Sequence, residues 1–138
     1  MRQLIVLSVV FFFTMCLFDT AFAQRTQCKL IVIKLEKDLQ NFADPFGTVV
    51  IPCDTIQFEA VDGDFAIYIE DAISILYTED VNLKIELTQV NPKSEKYVVR
   101  NVQNDVVESP YSVFCITTKS WPKDAPPRII ISADSTQR

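Results

Sequence analysis

Thr55-Ile56-Gln57-Phe58-Glu59-Ala60-Val61 runs into Asp62-Gly63-Asp64 and then into Phe65-Ala66-Ile67-Tyr68-Ile69. In the first segment Ile56, Phe58 and Ala60 fall on one side, with Thr55, Gln57 and Glu59 on the other. A period of two over this length marks a half-buried β-strand. Asp-Gly-Asp is a tight-turn signal, and a second apolar run follows it at once. The stretch therefore reads as a β-hairpin, and it sets the fold class as all-β.

The same pattern extends in both directions. Upstream, Lys29 to Leu35 is short and rich in β-branched residues, as a sandwich strand should be. Glu36 to Pro45 is a polar connection, in which Leu35, Leu39 and Phe42 have the spacing of a single helical turn. Thr48 to Ile51 ends at Pro52, which has no ladder donor. Downstream, strands are predicted over Ile73 to Tyr77, Leu83 to Leu87, Tyr97 to Val102, Tyr111 to Thr117 and Arg128 to Ser132, with Asn104 to Pro110 as a loop. Roughly eight or nine short strands with hardly any helix predict an antiparallel Greek-key β-sandwich or barrel. Only two glycines occur, Gly47 and Gly63, so Asn and Asp must serve most turns.

The N-terminal segment differs from the rest. Arg2 precedes an apolar run from Leu4 to Phe18, and Ala21-Phe22-Ala23 supplies a small-x-small cleavage pattern. Residues 1–23 are expected to be a secretory signal peptide, leaving one domain over residues 24–138. The run is short for a bilayer span of about 20 residues. Met15 before Cys16 is too bulky for a lipid-attachment signal. A secreted or periplasmic protein is expected. The chain carries a net charge of −5, which disfavours nucleic acid as a partner because phosphate backbones are repelled.

Beyond the leader stand Cys28, Cys53 and Cys115. An exported chain meets an oxidising environment where disulfides persist. Three cysteines allow one bridge and one leftover thiol, in any of three pairings. Cys115 lies within an apolar strand end, where a cysteine is either a buried small hydrophobe or a reactive thiol. Only Lys119 is near enough in sequence to lower its pKa.

The layout resembles the cupredoxins, and the azurin-like pattern most. Cys28 opens the first strand and Cys53 precedes the third. Ile51-Pro52-Cys53-Asp54-Thr55-Ile56-Gln57-Phe58 looks like the family's strand entry. Tyr111-Ser112-Val113-Phe114-Cys115, a loop and Arg128-Ile129-Ile130-Ile131 look like its copper-binding loop and closing strand. The resemblance implies a cupredoxin-like sandwich, a Cys28–Cys53 disulfide and a free Cys115 in the thiolate position. It also implies a blue-copper site, which needs two imidazoles and usually a thioether beside the thiolate. That site is missing from the sequence. There is no histidine at all, and the methionines are Met1 and Met15. One imidazole would fall within Thr117 to Ser120, the thioether within Pro122 to Pro127 and the other imidazole around Asp71 to Ile75. None of these stretches offers the ligand.

Without histidine, Ser-His and Cys-His nucleophilic pairs and histidine-bound zinc are excluded. The acidic set Asp54, Glu59, Asp62, Asp64, Glu70 and Asp71 does not match a calcium loop and reads as turn residues on a solvated face. The proline-stiffened loop Ser120 to Pro127 carries the only tryptophan, Trp121, flanked by Lys119 and Lys123. Trp121 either caps the end of the sandwich or faces a partner, as tryptophans at interfaces do. The expected function is a copper-free, non-catalytic binding or structural module without a cofactor. It would contact a protein or glycan through the Trp121 loop. A Cu(I) or redox role for Cys115 is the alternative, since a soft thiolate suits Cu(I).

Overall fold

The structure, a computed structural model, describes residues 27–133. The expected signal peptide and its cleavage site lie outside them. Ten strands and one helical turn occur among the described residues. The alternation at the centre of the sequence is realised in β4 (Thr55–Asp62), where Ile56, Phe58 and Ala60 are buried between half-buried polar neighbours. β1 (Leu30–Glu36) runs parallel to it, pairing Ile33 with Phe58 and Leu35 with Ala60. Two-residue strands flank this pair: β2 (Ala43–Asp44) against β1 and β7 (Tyr97–Val98) against β4. They complete a four-stranded sheet in the order β2-β1-β4-β7.

The second layer has two parts. β10 (Arg128–Ser132) lies between β3 (Gly47–Val50), parallel to it, and β8 (Val106–Pro110), antiparallel. β5 (Phe65–Ile69) lies between β6 (Leu83–Leu87) and β9 (Ser112–Cys115), antiparallel to both. Tyr111 alone separates β8 from β9, and its N–H donates to the Pro127 carbonyl. The two three-stranded pieces are thus one layer, broken at a residue whose ring turns into the core. Tyr111 meets Phe58 of the facing sheet edge-on, at 5.5 Å between ring centroids. Inward-facing side chains of both layers, among them Ile33, Phe58, Phe65, Ile67, Val113, Ile129 and Ile131, form one buried cluster. The chain is an all-β Greek-key sandwich, as the sequence predicts, but its sheets are mixed and not wholly antiparallel, because β1 runs parallel to β4 and β3 to β10.

Four expectations are corrected. β4 and β5 are not a hairpin: they belong to different sheets, and Gly63-Asp64 carries the chain between layers. Gly63 takes a φ of 102°. The Asp64 N–H donates to Thr117 Oγ1 (2.8 Å), its carboxylate accepts from the Gln89 N–H (2.9 Å) and its carbonyl accepts from the Ile116 N–H. The turn's polar groups are thus spent on other loops and not on closing a two-strand ladder. Ile73 to Tyr77 is not a strand. α1 (Ala72–Ile75) buries Ala72, Ile75 and Leu76, a helical spacing that the β-branched composition hides. Asn104 to Pro110 is not all loop, because Val106–Pro110 pairs along its whole length with β10. Finally, the strand expected over Tyr97 to Val102 stops early. The Val99 N–H goes to the Asp54 carbonyl and the Arg100 N–H to Ile75.

Candidate functional site

At the head of β1 and β4, Cys28 and Cys53 form a disulfide across 25 positions. Asp54, fully buried, sits beside it. Its carboxylate accepts the Lys29 N–H at 2.8 Å and the Ile51 N–H at 3.0 Å. This one side chain ties the start of β1 to the β3–β4 link. Three further acids of the set serve turns and surface pairs: Asp62 accepts the Lys37 N–H, Asp64 the Gln89 N–H, and Glu59 pairs with Lys93 at 3.3 Å. Among the described residues no three His, Cys, Asp or Glu side chains converge.

Cys115 ends β9 with its side chain fully buried and free of any disulfide. Its backbone exchanges two hydrogen bonds with Ser120, closing the 116–119 turn. The segment implied to hold the second imidazole, Asp71 to Ile75, is not beside it. Cys115 pairs with Phe65, the first residue of β5, whereas Asp71 follows the last residue, Ile69. Gly63-Asp64 is what lies against the Ile116-Thr117 turn. The residues around Cys115 therefore do not fit a blue-copper centre, in kind or in place.

The outward face of β9 carries a different kind of surface. Register across β6, β5 and β9 sets two outward rows: Glu86, Ala66 and Phe114, then Lys84, Tyr68 and Ser112. Ala66 is the smallest of the six, so the face dips above it between larger neighbours. Trp121 lies against Phe114 with ring centroids 4.9 Å apart, yet 62% of its surface is exposed. It does not cap the end of the sandwich. Together these residues enclose an open groove of about 170 Å³ that Trp121 walls on one side.

On its other side Trp121 borders a second groove, of about 280 Å³. Lys37, Asp38 and Gln40 of the β1–β2 connection line it, with Ser120 and Lys123 opposite. The Lys123 N–H donates to the Gln40 carbonyl at 3.0 Å, fastening the Trp121 loop to that connection. Of the predicted binding residues, Trp121 and Lys123 are brought together. Lys119 is exposed in the preceding turn, with φ 53°, and lines neither groove. Ala66, Tyr68, Lys84, Glu86, Ser112 and Phe114 were not anticipated. Their signal was the outward half of the alternation in β5, β6 and β9, which sequence reading used only to find the core.

The disulfide end carries a further groove, of about 480 Å³, between Ile51-Pro52-Cys53 and Tyr77, Val98 and Asn101. Tyr77 there lies under the Arg100 guanidinium, 4.7 Å from the ring centroid. Among the described residues that line that groove there is no carboxylate.

No protein-family model matches the chain, and no curated protein matches it. Among solved structures, it is similar to the reduced Cu(I) form of an amicyanin variant at pH 4, at 11% identity and a TM-score of 0.43, covering 75% of this chain and 82% of that one. It is also similar to auracyanin B, at 8% identity and a TM-score of 0.42, covering 75% of this chain and 88% of that one. At such values these likenesses lend no copper chemistry to this chain. Its own strand order, disulfide placement and β9–loop–β10 ending make it a cupredoxin-like β-sandwich.

Proposed function

We propose that the protein is an exported, non-catalytic binding module whose contact surface is the outer face of β6-β5-β9 together with the Trp121 loop. One observation carries the reading: the chain's only tryptophan is exposed, packed against Phe114 and set between two grooves. An aromatic pair already packed together before binding has less freedom to lose on complex formation, and tryptophan is among the residues enriched at binding hot spots. A disulfide in the fold suits an oxidising compartment. No helix among the described residues is long and apolar enough to cross a membrane.

Wild-type protein and the Trp121→Ala variant, immobilised at equal density, test the reading against extracellular material. Capture by the wild type that is lost in the variant is the expected result. Identical capture by both would place the contact surface elsewhere.

A further inference from the structure

We infer that the occupant of this face is a neutral oligosaccharide lying across Trp121 and reaching into both grooves, an inference that rests on the proposed binding function. The chain as a whole is acidic, at −5, but the lining of the two grooves is balanced. Lys37, Lys84 and Lys123 stand against Asp38 and Glu86. Lys37 is moreover engaged by Asp62, 3.8 Å away. That leaves two lysines and two carboxylates interleaved on one surface. A polyanion would meet Asp38 and Glu86, and a polycation would meet Lys84 and Lys123. A protein partner calls for a contact centre depleted of charge, whereas here Lys84 and Glu86 stand within the patch.

A neutral sugar chain satisfies each part of this lining. The polarised C–H face of a pyranose lies on the electron-rich face of an aromatic ring, and Tyr68, Phe114 and Trp121 offer such rings. Sugar hydroxyls both donate and accept. In the second groove they can meet the Lys123 donor, the Asp38 acceptor and the Ser120 hydroxyl, while the first groove, lined mainly by carbon, receives the ring face. The dip over Ala66 gives a ring room to descend between Tyr68 and Trp121. Because Trp121 borders both grooves, a chain of several sugar units is required to fill them.

The emission of Trp121, the only tryptophan, reports directly on the site. The full exported chain is titrated with short neutral oligosaccharides of the glucan, xylan, mannan, galactan and chitin types, and with oligogalacturonate and heparin fragments as acidic controls. The expected result is a saturable emission change with at least one neutral class, tighter for longer chains than for the disaccharide. Ala66→Gln, which fills the dip from the solvent side, should weaken it at least tenfold while leaving the melting transition in place. No binding by any neutral class, binding of the acidic controls alone, or an unchanged affinity in Ala66→Gln would overturn the inference. If no sugar binds but wild-type protein retains a protein that Trp121→Ala does not, the occupant is wrong and the binding face stands. If Trp121→Ala captures the same material as the wild type, both fall.

Discussion

Two buried polar residues show how differently a single side chain can bear on this fold. Tyr111 is 2% exposed, and its hydroxyl makes no hydrogen bond among the described residues. Burial pushes its ionisation well above the ordinary value of 10.0. Below that pH the phenol is neutral in both folded and unfolded chains and leaves stability independent of pH. Above it the unfolded chain releases a proton that the folded chain retains. Stability should then fall by roughly 1.4 kcal/mol per pH unit from this group. Tyr97, raised in the same direction chiefly by burial and further by Glu95 and Asp80, adds to the slope. Tyr111→Phe removes an unpaired hydroxyl and keeps the ring against Phe58. It should match or exceed the wild type by up to about 1 kcal/mol at neutral pH and show a shallower alkaline decline. Denaturant midpoints measured from pH 7 to 11 check both. Asp54 is the opposite case, because its carboxylate answers two backbone N–H groups in the interior. Asp54→Ala strands both donors and should cost about 2–4 kcal/mol, read as a lowered denaturant midpoint at pH 7.

At the level of elements, the link between β4 and β5 decides whether the chain makes a ribbon or a sandwich. Gly63 permits the crossing. Its φ of 102° is open to glycine, and a Cβ there would come within 3.1 Å of Thr117 Oγ1. Gly63→Ala should therefore destabilise by about 1–2 kcal/mol. Gly47→Ala, in a strand with its nearest neighbour Ile130 Cδ1 at 3.7 Å, should be neutral or slightly stabilising. Parallel denaturant curves for the two variants make the comparison. This link also marks the limit of what the sequence discloses. Period-two alternation marks β4 and β6 nearly residue for residue, because each has one face buried and the other wetter, and short apolar, β-branched runs mark β1, β5 and β10. It could not tell a hairpin from a crossing, since Asp62-Gly63-Asp64 suits both, and the choice is made by Thr117 and Gln89, distant in sequence. α1 escaped because four residues are too few to reveal a period. β8 escaped because Val106 to Pro110 is paired along one edge and shows no fully buried position. The candidate site was legible at Trp121 and Lys123. Its floor was hidden, because Ala66 and Phe114 acquire meaning only when register places them side by side.

Across the whole molecule, the stabilising staple and the candidate binding face occupy opposite ends. The disulfide stands at the head of β4, before Thr55, and the Gly63 crossing that touches the Trp121 side stands at its tail. Eight residues of strand separate them, roughly 25 Å at the usual rise. The bridge closes 25 positions of chain and should contribute on the order of 3–4 kcal/mol by restricting the unfolded state. Nothing in that mechanism touches the geometry of Trp121 on Phe114. Effects at sites this far apart, sharing no partner, are expected to add. Cys28→Ser with Cys53→Ser should therefore lower the denaturant midpoint strongly. Under conditions where the chain is still folded, it should leave the emission of Trp121 unchanged. Adding Trp121→Ala to that pair should shift stability by the same amount as it does alone, since the indole contributes mainly surface contact. A native-state change in Trp121 emission when the bridge is removed would mean that the sandwich transmits strain along β4. The staple would then shape the binding face and not merely hold the chain together.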